Sequence, residues 1–406
     1  MQAPHNIISP FNLAPHAVKL PVAGNLFNLK FSESRLSGSS LDSPFKINLP
    51  SPRSGLGAVP RPCDQSGPSA VTALDVSFLQ WLAGFTDAEG NFNISLRQLN
   101  GNHYHSVLLT FQIGLHIDDL PVLKYINNTL QCGHISVSGN RCNFFVNDHH
   151  SLTNVVLPIF NHISLNSSKY FQFLIFQKAV NLLSNKSHLT EQGKTFMFQY
   201  YQEMRSFNSQ HLQYPHPNII ISDFWLGGFI DGDATFSTNK AKPRLKFENH
   251  HKELELFKKI HEYFNNKGSL ILTKPRKSLL NSVPRQPTVV LDFHQLDFLI
   301  NVIVPLFQSK PLLKTRKNED FFYWAILVNI YFLGYHLLPE TQSLIKEIKL
   351  KMNKFRLSTH PSNQVNNFLI DDNSLTSKIL QLFETPPQYT INNGIRLIKK
   401  QTSESQ

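Results

Sequence analysis

Two short apolar segments with the same acidic ending constrain this chain more than any other part of it. The first is Phe78–Gly90, FLQWLAGFTDAEG, and the second is Phe224–Ala234, FWLGGFIDGDA. Each holds two adjacent small residues, Ala83-Gly84 and Gly227-Gly228. Each ends in two acids one residue apart, Asp87 and Glu89, then Asp231 and Asp233. The apolar positions predict helices, and the small residues let two helix backbones approach more closely than leucine-on-leucine packing allows. Packed together, the helices would bring one terminal carboxylate each, Glu89 and Asp233, to a shared site. An acid at a helix C-terminus opposes the macrodipole by roughly 0.3–1 kcal/mol. Two such acids repel, and one tends to hold a proton. The arrangement therefore calls for a cation. Oxygen-only ligands suit Mg²⁺, which takes one or two carboxylates and fills its shell with water and phosphate oxygens. Held there, a divalent ion can activate water and stabilise the leaving oxygen of a phosphodiester. Either segment alone reads as an ordinary core helix with a solvated acidic end; the matched pair argues against that.

The segments belong to a longer repeat, which is sought before other patterns. Glu89 and Asp233 are 144 residues apart, whereas Lys169/Lys317, His188/His336, Met204/Met352 and Phe207/Phe355 are each 148 apart. A constant later offset with a four-residue slip describes two homologous halves, the second carrying an insertion between Lys274 and Pro287. In the first half, a helix over 78–88 is followed by strands at Phe92–Arg97, Tyr104–His116, Cys132–Val137 and Asn143–Asn147. Asn100-Gly101 and Gly139-Asn140 supply hairpin turns. A helix over Asp118–Leu130, with acids at its favourable end, separates the hairpins. Helices follow near 149–162, 169–184 and 190–205. After the polar segment Asn208–Asn218 the order restarts, with a helix over 223–233, strands at 234–240 and 243–250, and a helix over 251–266. Strands near 268–273 and 288–294 come next, then helices near 295–307, 319–333 and 340–354. The domains expected are a mostly disordered extension over 1–72, halves over 73–207 and 219–357, a linker over 208–218, and a tail over 358–406. The tail has one helical stretch near 373–384 and no assigned role.

Composition narrows the partner. The 406 residues carry a net charge of +11, which favours a polyanion. Cys63, Cys132 and Cys142 form neither a disulfide framework nor a zinc pattern, which fits a reducing compartment. The apolar run Phe321–Gly334 is too short to span a bilayer, so no membrane partner is expected. The N-terminal stretch lacks a secretory pattern, and Glu33 and Asp42 interrupt any transit-peptide character. His116, His250 and His251 lie near the strands without metal-ligand spacing, which leaves a histidine-metal nuclease the weakest enzymatic alternative.

LAGFTDAEG (82–90) and LGGFIDGDA (226–234) resemble the two motifs of a single-chain LAGLIDADG homing endonuclease of the group I intron-encoded type. FQIGLH (111–116), SSKYFQF and TRKNEDF, and HLTEQG with HLLPETQ resemble further segments of that family, so the likeness covers roughly 75–357. It implies an α+β fold of two pseudo-symmetric αββαββα halves forming a β-sheet DNA-binding saddle, with the motif helices paired at the interface. It implies Mg²⁺-dependent (or Mn²⁺-dependent) cleavage of a long double-stranded DNA target by a monomer. Carried over by motif position, Glu89 and Asp233 bind metal, and Lys169 and Lys317 organise the water around it. Ala83, Gly84, Asp87, Gly227, Gly228 and Asp231 build the interface. The second motif departs from the pattern by ending in Ala234, a cost only if that backbone position needs a positive φ. Thr86 stands for the usual aliphatic residue in the first.

The saddle would read bases and phosphates with alternate side chains. Residues 236–285 hold twelve Lys or Arg against four Asp or Glu, whereas 91–148 hold three of each. The second half is therefore expected to grip phosphates through Lys240, Lys242, Arg244, Lys246, Lys274, Arg276, Lys277 and Arg285. The first is expected to read with Asn93, Arg97, Gln98, Gln112, Asn143 and Asn147. An RNA-binding intron maturase on the same saddle and an inactive DNA-binding remnant stay open as alternatives. The family places such a chain in a mitochondrion or a chloroplast.

Overall fold

The computed structural model describes residues 45–46, 73–97, 104–206, 216, 218–239, 242–274, 286–352, 372–392 and 395–398. Strands β1 (Phe45–Lys46) and β2 (Ala73–Leu74) pair antiparallel just before the first half. Phe45–Lys46 thus forms a short strand within the stretch read as disordered; the rest of 1–72 lies outside the described residues.

The first half runs α1 (Val76–Glu89), β3 (Gly90–Arg97), β4 (Ser106–His116), α2 (Leu120–Leu130), β5 (His134–Ser138) and β6 (Arg141–Val146). Helices α3 (His149–Ser151), α4 (Leu157–His162), α5 (Lys169–Ser184) and α6 (Glu191–Ser206) complete it. The second half repeats the order as α7 (Asp223–Asp233), β7 (Ala234–Asn239), β8 (Lys242–His250), α8 (Leu254–Tyr263), β9 (Ser269–Leu272) and β10 (Thr288–Phe293). It ends with α9 (Leu296–Phe298), α10 (Val304–Ser309), α11 (Lys317–Phe332) and α12 (Thr341–Leu350). Each half thus builds one four-stranded antiparallel sheet, ordered β3-β4-β6-β5 and β7-β8-β10-β9.

Period-two patterning sets the faces of these sheets. Phe92, Ile94, Phe111, Ile113 and Phe144 of the first sheet and Phe236, Leu245, Phe247, Leu291 and Phe293 of the second turn into one continuous hydrophobic core. The residues between them, including Asn91, Asn93, Thr235 and Lys242, are exposed on the opposite face. Since a one-residue slip would invert every side chain, this burial pins the register.

The repeat extends to an irregularity. A π-helical segment precedes each of two short helices, Leu152–Val156 before α4 and Leu299–Ile303 before α10. Pro158 and Pro305 sit in the first turns of those helices. A proline ring lacks the N–H and crowds the carbonyl four residues back, so the preceding turn widens.

Helices α1 and α7 start on side-chain caps. Asp75 accepts from Ser77 N, and Ser222 Oγ accepts from Trp225 N at 3.2 Å. They then pack backbone to backbone. A Cβ on Gly84 would lie 1.9 Å from Trp225 O, and one on Gly228 would lie 2.0 Å from Trp81 O. Gly227 faces Leu312 instead, within its own half, where a Cβ would meet Leu312 O at 2.6 Å. It is not a contact to the opposing helix, because residues 227 and 228 point about 100° apart on a helix.

The stretch read as a tail without a role carries α13 (Asp372–Glu384) and a hairpin of β11 (Tyr389–Asn392) and β12 (Ile395–Ile398). It packs on the second half. Tyr335 Oη donates to Thr385 O at 2.7 Å, Gln388 N donates to Leu333 O at 2.9 Å, and Leu375 is buried.

Candidate active site

The motif helices end side by side at the floor of a cleft of about 820 Å³. Glu89, Asp231, Gly232, Asp233 and Lys317 line it, together with Asn91 and Thr235 from the first residues of the following strands. Gly232 makes the approach possible, since a Cβ there would lie 2.2 Å from Ala88 Cβ and 3.0 Å from Glu89 Cγ. Burial raises the pKa of both acids. Asp233 is pushed up to about 7, chiefly by desolvation and further by the charge of Glu89. Glu89 rises for the same first reason, opposed by Lys169 and Lys317.

The two lysines occupy matching positions. Lys169 Nζ donates to Thr86 O at 3.1 Å and to Ala88 O at 2.7 Å. Lys317 Nζ donates to Ile230 O at 2.9 Å and to Gly232 O at 2.6 Å. Each ammonium therefore caps the carbonyl end of its own motif helix, where the macrodipole is negative. Part of the compensation that the sequence reading gave wholly to a metal is supplied by these two cations. Burial lowers the pKa of both lysines, and the surrounding carboxylates oppose that shift.

Asp87 and Asp231 sit two residues back and are almost fully buried. Asp87 accepts from Asn166 N (2.8 Å), Ser167 N (2.9 Å), Ser167 Oγ (2.6 Å) and Trp225 Nε1 (2.8 Å). Asp231 accepts from Lys314 N (2.8 Å), Thr315 N (3.2 Å), Thr315 Oγ (2.5 Å) and Trp81 Nε1 (3.0 Å). Each carboxylate thus holds the chain just before its own lysine helix and takes an indole N–H from the opposite motif helix. Burial pushes Asp87 up to about 6 against the pull of those four donors.

The two carboxylates Glu89 and Asp233 fit a hydrated divalent ion. Among the described residues no group of three or more His, Cys, Asp or Glu side chains could hold a metal. Two carboxylate donors leave the remaining positions to water and phosphate, the pattern Mg²⁺ accepts. One asymmetry separates the acids: Asn249 Nδ2 donates to Asp233 Oδ2 at 2.6 Å, whereas Leu115 stands at the equivalent point of β4.

The outward faces of the two sheets flank the cleft. Asn93, Arg97, Asn147, Lys242 and Lys274 are exposed there or at its edges, and Gln112, Asn143, Arg244 and Lys246 are half-buried. Gln112 Nε2 donates to Asn143 Oδ1 at 3.0 Å. Arg244 is engaged by Asp292 through two hydrogen bonds of 3.0 and 2.6 Å, and Lys246 pairs with Glu248. Their charges are thus partly neutralised within the sheet. Gln98, Lys240, Arg276, Lys277 and Arg285 lie outside the described residues. Sequence reasoning missed Asn91 and Thr235, Asp119, which also lines the cleft, and Asn249. Nothing marks them in the chain beyond the first two following a motif acid by two residues.

Comparison with known proteins places the chain. The sequence profile of the LAGLIDADG endonuclease family matches residues 82–180 and 226–328. The chain belongs to the LAGLIDADG endonuclease family, and its fold is that of the two-half homing endonucleases. The meganuclease I-SmaMI bound to uncleavable DNA superposes with a TM-score of 0.58 at 24% identity, over 68% of this chain and 97% of that one. I-GzeII in complex with its DNA target superposes with a TM-score of 0.57 at 25% identity, over 70% of this chain and all of that one (100%). The uncharacterized mitochondrial protein RF1 of Saccharomyces cerevisiae is 25% identical over 81% of this chain and 70% of its own length. A probable intron-encoded endonuclease of Neurospora crassa is 33% identical, but the match spans 28% of this chain and 24% of that protein.

Proposed function

We propose that this chain is a site-specific homing endonuclease that cuts both strands of a long DNA target by metal-assisted phosphodiester hydrolysis. The observation that carries the reading is the pair of half-buried carboxylates, Glu89 and Asp233, at the abutting ends of two helices beneath two exposed sheet faces. The family includes proteins named as intron-encoded endonucleases, and a DNA-bound relative was crystallised with calcium ions. The names support an origin within an intron, and the calcium ions support a divalent requirement. RF1 is named as mitochondrial, which supports a mitochondrion as the compartment. One chain supplies both motif helices, so a monomer suffices.

Glu89 and Asp233 would hold Mg²⁺, which supplies water activation and leaving-oxygen stabilisation. The chain's own residues prepare for it. With Lys169 and Lys317 the two acids form a charge-balanced set before metal binds, so neither carboxylate is left as an unpaired charge. The lysines keep the helix ends, and with them the acids, in place. Asn93, Arg97, Gln112, Asn143, Lys242, Lys246 and Lys274 set the register of the duplex over the cleft, Lys242 and Lys274 with the least internal pairing.

The test uses the intact chain, Mg²⁺ and a duplex spanning the intronless insertion site. Cutting of both strands is expected with the wild type, and its loss with Glu89→Gln or Asp233→Asn. No metal-dependent cutting, with splicing of the host intron still assisted, would replace this reading with that of a maturase.

A further inference from the structure

We infer that Asp119 and Glu253 are positioning residues exchanged between the halves, each holding the start of the lysine helix that belongs to the other half. Glu253, from the second half, accepts from Ser168 N at 3.0 Å. Asp119, from the first half, accepts from Arg316 N at 3.0 Å. Ser168 and Arg316 immediately precede Lys169 and Lys317 and are 148 residues apart, the offset of the repeat.

These bonds complete a set of three at each helix start. Asn166 N and Ser167 N go to Asp87 of their own half, and Ser168 N goes to Glu253 across the interface. Lys314 N and Thr315 N go to Asp231, and Arg316 N goes to Asp119. Amides at a helix start have no partner within the helix, so side-chain acceptors set how the chain enters it. The next residue in each case is the lysine that grips the last carbonyls of the motif helix. A shift at Ser168 or Arg316 therefore moves an ammonium at the site. Reciprocal indole bonds, Trp81 to Asp231 and Trp225 to Asp87, cross the same interface in the same sense. Each half thus aligns the other's lysine.

The exchange is not symmetric in strength. Glu253 is buried, and its carboxylate lies close enough to Lys169 to act on its charge. Asp119 is half-buried, and Arg316 has a second tie through its guanidinium to Asp118. Glu253 therefore carries more of the alignment than Asp119.

Hydrogen exchange on the full chain, without metal or DNA, tests the placement. Glu253→Ala is expected to speed amide exchange over 166–170 by about fivefold or more, the loss of one good cap, with 314–318 unchanged. Asp119→Ala is expected to do the converse by a smaller factor. Glu253→Gln, which keeps an acceptor oxygen, should restore most of the protection and guards against a folding defect. Equal change in both segments, or none, overturns the inference. A second arm rests on the nuclease reading and uses a duplex labelled on both strands. The two alanine variants are expected to slow opposite strands, with DNA affinity unchanged. Cutting by the wild type with an unaltered strand ratio in both variants overturns the inference alone. Failure of the wild type to cut would count against the nuclease reading, and the exchange arm would still decide the alignment.

Discussion

At Gly84 and Gly228 the two halves touch through main chain, and neither position has room for a methyl group. Alanine at either is expected to lower stability by about 3 kcal/mol or more, because backbone rather than a flexible side chain must move. Gly139→Ala is the contrast: it lies at φ +55° with nothing within 4 Å, so only the left-handed backbone is penalised, by about 1 kcal/mol. Urea unfolding of the three variants checks the order. Ala234, the departure in the second motif, sits at φ −109° and ψ 163°. That is extended backbone, open to any residue, so alanine carries no backbone penalty there. Asp87 adds a pH dependence. Its folded pKa is raised from 3.8 to about 6, so its contribution to stability is full below the lower value and is lost as pH rises through the upper one. The difference in urea midpoint between the wild type and Asp87→Asn should therefore change across that window. A constant difference would show that Asp87 does not titrate there.

At the scale of elements, the lysine helices finish the motif helices. Without Lys169, the carbonyls of Thr86 and Ala88 lose a charged donor in a partly buried place. Lys169→Met, which keeps the apolar stem, is expected to cost about 1–3 kcal/mol and to slow cutting while leaving DNA affinity intact. Gel-shift and cleavage measurements on the same preparation separate the two. Weakened DNA binding would place the lysine in the DNA interface instead. The helix 118–130 expected from sequence begins as a 3-10 turn over Ile117–Asp119, capped by His116, and becomes α-helical at Leu120. Asp119 leaves the helix dipole and reaches across to Arg316 N.

At the scale of the whole molecule, the proposed DNA contact predicts an unequal phosphate grip between the sheets. Lys242 is exposed on the second sheet with no ion pair among the described residues, whereas Gln112 is neutral and bonded to Asn143. Lys242→Ala is expected to reduce the slope of log affinity against log salt by about one, and Gln112→Ala to leave it unchanged. Equal slopes would refute the division of labour. Arg244 is expected to contribute less than its charge suggests, because Asp292 already holds it.

Read alone, the chain determined its own duplication, the element order of each half and the two paired helices that end in Glu89 and Asp233. Those features rest on local periodicity and on a repeat offset, both written along the chain. Tertiary structure decided which partners the buried groups take. Gly227 turns to Leu312, Arg244 to Asp292, the lysines to helix-end carbonyls, and Asp119 and Glu253 to the opposite half. These contacts join residues distant in sequence, 48 to 197 apart among the side-chain hydrogen bonds. No local pattern encodes them, because a buried polar group is satisfied by whichever donor the packed fold brings within reach.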